Sequence, residues 1–314
     1  MGNIFGRLKT IPTDSPSKPS PPPPKSAGEP KSRVALSWAQ EEIENRFGIF
    51  RAGRFTTVNK SLSFLSAIVL TTVFYLLVLA GLNYVPSIHR FAIIFFRPAN
   101  IYTIGPAVLL FFWAMSSLWF KSRKLEFQRR ALRLAAVPGQ PDFVLNEATA
   151  RIVLERIHNL VDHPRHFILL NRIERALSNL HNIGGLSDVS TILRSQAEND
   201  ENQVAASYTM ISGMIWAIPV LGFIGTVQGL SQAVGNFGKT LQASAEVARL
   251  KESLLGVTGG LSTAFETTLV GLVAALIIQL FLSYLQQKET DFLDECNDYC
   301  HSHVISKLRL HRGS

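Results

Sequence analysis

Four stretches of this chain are almost free of charge, and they alternate with segments in which apolar positions recur at helical spacing. The first, Ser61 to Tyr84, holds no charged residue over a length able to cross a hydrocarbon core. The second is Ile101 to Phe120, the third runs from about Ala205 to Val234, and the fourth from about Leu254 to Leu285. Backbone amides in lipid must be satisfied internally, so all of these are expected to be helices. Between the second and third, Ile152, Leu154, Ile157 and Leu160, then Ile168, Leu169, Ile173, Leu177 and Leu180, mark short amphipathic helices. Breaks fall at Pro138-Gly139, Pro164 and Gly184-Gly185. The fold class that follows is all-α: a polytopic membrane protein with four transmembrane helices and a small helical domain.

This pattern divides the chain into six segments. Residues 1–36 form a Pro-rich tail whose composition cannot offset its ordering entropy, and it is expected to be disordered. Residues 37–60 are an amphipathic interfacial segment carrying Trp38, Ile43, Phe47 and Phe50 among acidic and basic residues. Residues 61–120 hold the first two spans, 121–204 the helical domain, 205–285 the last two spans, and 286–314 a polar helical extension. The Gly105-Pro106 pair is expected near a helix start, where a missing amide costs little. Gly235 to Glu252 is expected to be a loop with a helical turn or two.

Composition and charge agree with the membrane reading. Hydrophobic residues make up 47% of the chain and charged ones 17%. A net charge of +8 admits nucleic acid as a partner in principle. However, Lys121, Arg123, Lys124, Arg129, Arg130 and Arg133 cluster beside an apolar segment and form no stripe interleaved with aromatics. The positive-inside rule accounts for them, with the lipid bilayer as the partner and no nucleic acid. It also places both termini and the Lys121 region on the cytoplasmic side, in agreement with four crossings. No apolar leader opens the chain, so no secretory signal is expected. Cys296 and Cys300, with Glu295, His301 and His303 nearby, match no zinc spacing, and no metal is expected. His158, His163, His166 and His181 are scattered beside Arg and Asp and read as surface or interface residues.

The candidate chemistry lies in the last two spans. In IPVLGFIGTVQGL, from Ile218 to Leu230, Pro219, Gly222, Thr226 and Gly229 share one narrow helical face with Ala233. Gly225 and Gly229 make a small-xxx-small pair suited to close helix approach, and Pro219 is expected to kink the helix. The fourth span carries Ser262, Thr263, Glu266, Thr267 and Thr268, with Glu266 the only acid of a long apolar run. A carboxyl there marks by default an ion path or a buried partner. Glu266 and Thr268 stand about 200° apart around a helix, so they cannot both face one pore. Thr226 and Thr268 lie at comparable depths, which favours a shared pair of hydroxyls.

These motifs resemble the core of the MotA/TolQ/ExbB proton channel family. The first family pattern is similar to Gly222, Gly225, Thr226, Val227 and Gly229, and the second to Ala264, Thr268, Gly271 and Leu272. The resemblance implies a homopentamer around a dimer of a single-span partner whose membrane aspartate binds the ion. It implies no cofactor, transport of H+ or alternatively Na+, and a multi-pass location in a bacterial inner membrane. Thr226, Thr268, Glu266 and Thr267 are then the ion-path candidates. Pro219, Gly222, Gly225, Gly229, Ala264 and Gly271 are the packing or pore-wall candidates. Three-helix members place a glutamate at the position of Thr263, whereas here the acid is Glu266, so its role is either ion carrier or a protonated or hydrogen-bonded strut to Gln228 or a hydroxyl on a neighbour. The reading from another class is a non-conducting scaffold that recruits partners. No nucleophile–base pair or phosphate loop supports an enzyme, and no catalytic residue is expected.

Overall fold

Long apolar runs without charge dictate the frame. The computed structural model describes residues 35–42, 44, 53, 55–84, 89–97, 101–140, 142–178, 186–243 and 247–309. Residues 1–34 of the Pro-rich tail, Ile43, Phe47, Phe50, Leu180, His181 and the Gly184-Gly185 break lie outside them. The helices are α1 (Trp38–Glu41), α2 (Lys60–Tyr84), α3 (His89–Phe96), α4 (Ile101–Leu132), α5 (Glu147–Leu160), α6 (Ile168–Ser178), α7 (Leu186–Ala243) and α8 (Val247–Cys300). A 3₁₀ turn at Pro164–His166 precedes α6, and a π turn at His301–Ile305 follows α8. No strand occurs among the described residues.

Four of these helices, α2, α4, α7 and α8, are long and apolar enough to cross a membrane. They leave large apolar side chains uncovered: Leu76 and Leu77 on α2, Trp216 and Phe223 on α7, Phe265, Leu269 and Leu280 on α8. Such a surface is stable only against lipid or other apolar helices. Helices α7 and α8 form a long hairpin; α4 packs on both, and α2 packs on α4 from outside.

Both hairpin helices outrun their apolar spans. The polar stretch 186–204 continues straight into the third span, so the expected boundary near Ala205 is a change of surroundings with no change of backbone. Residues 235–243 and 247–252 are likewise helical, which corrects the expected loop from Gly235 to Glu252. Gly235, Gly238 and Gly256 have open space where a β-carbon would stand. The expected start at Ile101 is observed, and it puts Pro106 in the second turn of α4. There the missing amide deprives the Tyr102 carbonyl of its partner, a larger cost than at a true helix start.

The non-membrane end of the hairpin is built into a helical domain with α5 and α6. Asn146 and Thr149 close α5 with a capping box, Thr149 N donating to Asn146 Oδ1 at 2.9 Å and Asn146 N to Thr149 Oγ1 at 2.8 Å. The core joins Val153, Ile157, Phe167, Ile168, Leu170 and Ile173 to Phe292, Cys296, Cys300 and Val304 beyond the fourth span. The two cysteines are thus buried as small apolar side chains. Two straps hold the ends. Leu145 pairs with the Lys307–Arg309 backbone, and Leu36 N donates to the Leu160 carbonyl at 3.1 Å. Asp162 accepts from Ser37 Oγ at 2.8 Å and from Trp38 N at 2.7 Å. Trp38 then packs on Phe127, His166 and Phe167, so His166 is an interface residue, while His158 and His163 are exposed.

Not all the basic residues after the second span are headgroup charges. Lys121 and Lys124 are each 2% exposed and ion-paired within the protein. Lys121 Nζ meets Glu289 at 3.0 Å and donates to Ser207 Oγ at 2.8 Å and Thr56 Oγ1 at 3.2 Å. Tyr208 and Thr56 also donate to the Glu289 carboxylate. Lys124 reaches Glu44 at 2.7 Å and Glu42 at 3.2 Å. A buried charge is stable only when paired and hydrogen-bonded, and the Lys121–Glu289 node satisfies that condition, while in the Lys124 node Glu42 Oε1 has the ion pair without a hydrogen bond.

Candidate functional site

The site grows from the absence of side chains along one edge of α7. A β-carbon on Gly222 would lie 2.9 Å from the Thr267 carbonyl oxygen and 3.1 Å from Thr268 Cα. One on Gly225 would lie 2.7 Å from Thr267 Oγ1, and one on Gly229 3.3 Å from the Gly260 carbonyl oxygen. From the other helix, a β-carbon on Gly260 would meet the Ala233 methyl at 2.6 Å, and one on Gly271 the Ile218 carbonyl oxygen at 3.1 Å and Pro219 Cα at 3.4 Å. Ala264 is fully buried in the same seam. The stripe Pro219, Gly222, Thr226, Gly229, Ala233 therefore faces α8 of the same chain. What it allows is near contact of two backbones.

That contact brings the threonines together. Thr226 Oγ1 and Thr268 Oγ1 share a hydrogen bond across the seam. Thr226 Oγ1 also lies 2.8 Å from the Ala264 carbonyl oxygen and 3.4 Å from that of Gly222. Thr268 Oγ1 lies 3.2 Å from the Gly222 carbonyl oxygen. Each of the two hydroxyl protons thus has more than one acceptor, and its orientation is a choice between nearly equivalent partners. Both side chains are half-buried, so the pair is reachable from outside the seam.

Glu266, Thr267 and Thr268 are consecutive and point to three different neighbours. Thr267 is 1% exposed; its hydroxyl lies 2.8 Å from the Ala264 carbonyl oxygen and 3.2 Å from that of Gly222. It sits beneath Gly225, whose β-carbon would also be 3.1 Å from Thr103 Oγ1 on α4. Glu266 turns the other way: its Oε2 is 3.1 Å from Arg97 Nη1 and its Oε1 accepts from Ser262 Oγ at 3.4 Å. The partners found for the carboxylate are therefore Arg97, which was not expected, and the hydroxyl of Ser262, while Gln228, the other partner expected, is not among them. The structure brings Thr226, Thr268 and Thr267 into one hydroxyl cluster and sets Glu266 outside it.

Sequence reasoning passed over Thr103, Arg97 and the packing role of Gly260. Gly260 stood in a Gly-Gly pair opening the second motif, a usable signal. Arg97 is one of two arginines between the first two spans, and nothing local connects it with a carboxylate in the fourth.

A helix hairpin with a bare seam, a half-buried hydroxyl pair and a lipid-facing exterior defines a membrane protein with an uncharged polar contact between two spans. Residues 162–297 match the family model described as the MotA/TolQ/ExbB proton channel family. The resemblance carried by the two motifs is borne out over a segment that contains α6, α7 and nearly all of α8. No curated protein and no solved structure matches the chain.

Proposed function

We propose that this chain is the proton-conducting subunit of an ion-driven motor in a bacterial inner membrane, with both termini in the cytoplasm. Five copies surround a dimer of a single-span partner whose membrane aspartate takes up and releases the ion, and the ion gradient drives mechanical work. The observation that carries this reading is the Thr226–Thr268 hydroxyl contact inside the segment shared with a proton channel family. A hydroxyl can donate and accept at once, so it can pass a proton or hold a water without bearing charge. The Ala264 and Gly222 carbonyls accept the hydroxyl protons, so either hydroxyl can redirect its proton from a carbonyl to an incoming carboxylate while its oxygen accepts from the other threonine. No charged side chain within the cluster competes with the partner's aspartate for the ion. The same hydroxyls serve Na+ equally well, and H+ is the ion we assign from the family.

The test is ion flux into vesicles reconstituted with the chain and its co-purified single-span partner. Thr226→Val and Thr268→Val should each abolish flux while co-purification persists, because valine keeps the shape and removes the donor and acceptor. Undiminished flux in both variants would overturn the assignment. Absence of any co-purifying single-span protein would favour a scaffold.

A further inference from the structure

Glu266 is the only charged residue between Glu252 and Lys288, so its partner decides what it does. That partner lies outside the segment shared with the channel family, since the match begins at residue 162. Arg97 directly follows α3, and α3 is seated by its aromatics: Phe95 packs on Phe74 with ring centroids 5.2 Å apart, and Phe96 on Tyr75 at 5.7 Å. The guanidinium is therefore delivered to α8 by a fixed element. Both carboxylate oxygens of Glu266 are engaged, one by Arg97 and one by Ser262.

We infer that Arg97 and Glu266 form a latch that holds the leading end of α4 against α8 and thereby sets the register of the threonine pair, with Glu266 positioning the path and carrying no ion. Three consecutive residues make the connection. Glu266 clasps Arg97 just ahead of α4, Thr267 is buried against Gly225 beside Thr103 of α4, and Thr268 meets Thr226. A helix that slips along its axis moves all three contacts together, so an ion pair at the first fixes the hydroxyl contact at the third. In lipid an unpartnered carboxylate is strongly disfavoured, which makes the latch close wherever Arg97 can reach it. This inference rests on the channel reading for the word path, but the latch itself is a statement about packing.

A charge swap tests it with two readouts on the chain in complex with its co-purified partner. Arg97→Gln and Glu266→Gln should each lower the thermal midpoint in detergent by a few degrees and reduce ion flux several-fold. Arg97→Glu combined with Glu266→Arg should recover both, and Arg97→Lys should stay close to the parent. A swap that recovers neither stability nor flux overturns the latch. A swap that recovers stability but not flux, together with loss of flux in Glu266→Gln alone, overturns the positioning role and makes the carboxylate at 266 the carrier. If the swap recovers stability and no variant, the parent included, conducts, the latch stands and the channel reading fails.

Discussion

The same two helices carry two polar sites built on opposite principles. Near the middle of the hairpin, Thr226 and Thr268 meet in a seam of glycine and alanine with no formal charge, and each proton has a choice of acceptor. Where the hairpin leaves its apolar span, Glu289 of α8 is fully buried beside Lys121, Tyr208 and Thr56, and every neighbour converges on its carboxylate. Charge explains the difference. Two opposite charges out of water must be completely saturated, and saturation fixes them in one arrangement. Neutral hydroxyls tolerate several arrangements of similar energy, so they can change partner. The lesson is a division of labour along one hairpin: the charged node anchors, and the uncharged seam is where the proposed function has protons move.

The largest effect that would break this comparison lies at the node. Glu289→Ala or Lys121→Ala strands a buried charge and should cost about 3–5 kcal/mol, read as loss of folded protein in detergent melting curves. Replacing both by methionine should recover most of that loss, since an apolar pair needs no partner. If the single variants are as stable as the parent, the node is no anchor. Next in size is the seam. Gly222→Ala, Gly225→Ala and Gly260→Ala push a methyl into backbone or side chain and should each cost about 1–3 kcal/mol. Gly235→Ala and Gly256→Ala, with open space around them, should be neutral or stabilising by up to about 1 kcal/mol. Equal costs in both sets would remove the distinction between seam and exposed helix. A smaller effect is expected at the strap, where Asp162→Ala removes the acceptor for Ser37 and Trp38. It should cost about 0.5–1.5 kcal/mol and raise proteolysis ahead of α2.

The seam was legible in the sequence and the node was not, for a physical reason. The threonines, the small-residue stripe and the opposed direction of Glu266 follow from helical angles within single spans, which local spacing reveals. Lys121 and Lys124 looked like charges at a membrane edge because their partners, Glu289 and Glu44, lie 168 and 80 positions away. Arg97 and Glu266 are separated by 169 positions, with the same result. The direction of the bare stripe was also out of reach. A face of glycines states that something packs closely, and only the fold shows that α8 of the same chain is what packs there. The stretch from Gly235 to Glu252 read as a loop from its glycines and polar residues, yet 235–243 and 247–252 are helical continuations of α7 and α8. Helical cooperativity outweighs a few weak residues once a helix is already formed.

The smallest stability change is expected where the functional change is greatest. Thr226→Val and Thr268→Val should alter folding by no more than about 1 kcal/mol, since each removes one of several interchangeable hydrogen bonds. Ion flux into vesicles holding the chain and the proposed single-span partner, compared between Thr226→Val and Thr226→Ser, tests the central claim most directly. Serine should retain flux because it keeps the hydroxyl, and valine should abolish it. Flux that survives valine as well as serine would show that the hydroxyl pair is a packing contact and no part of the ion path.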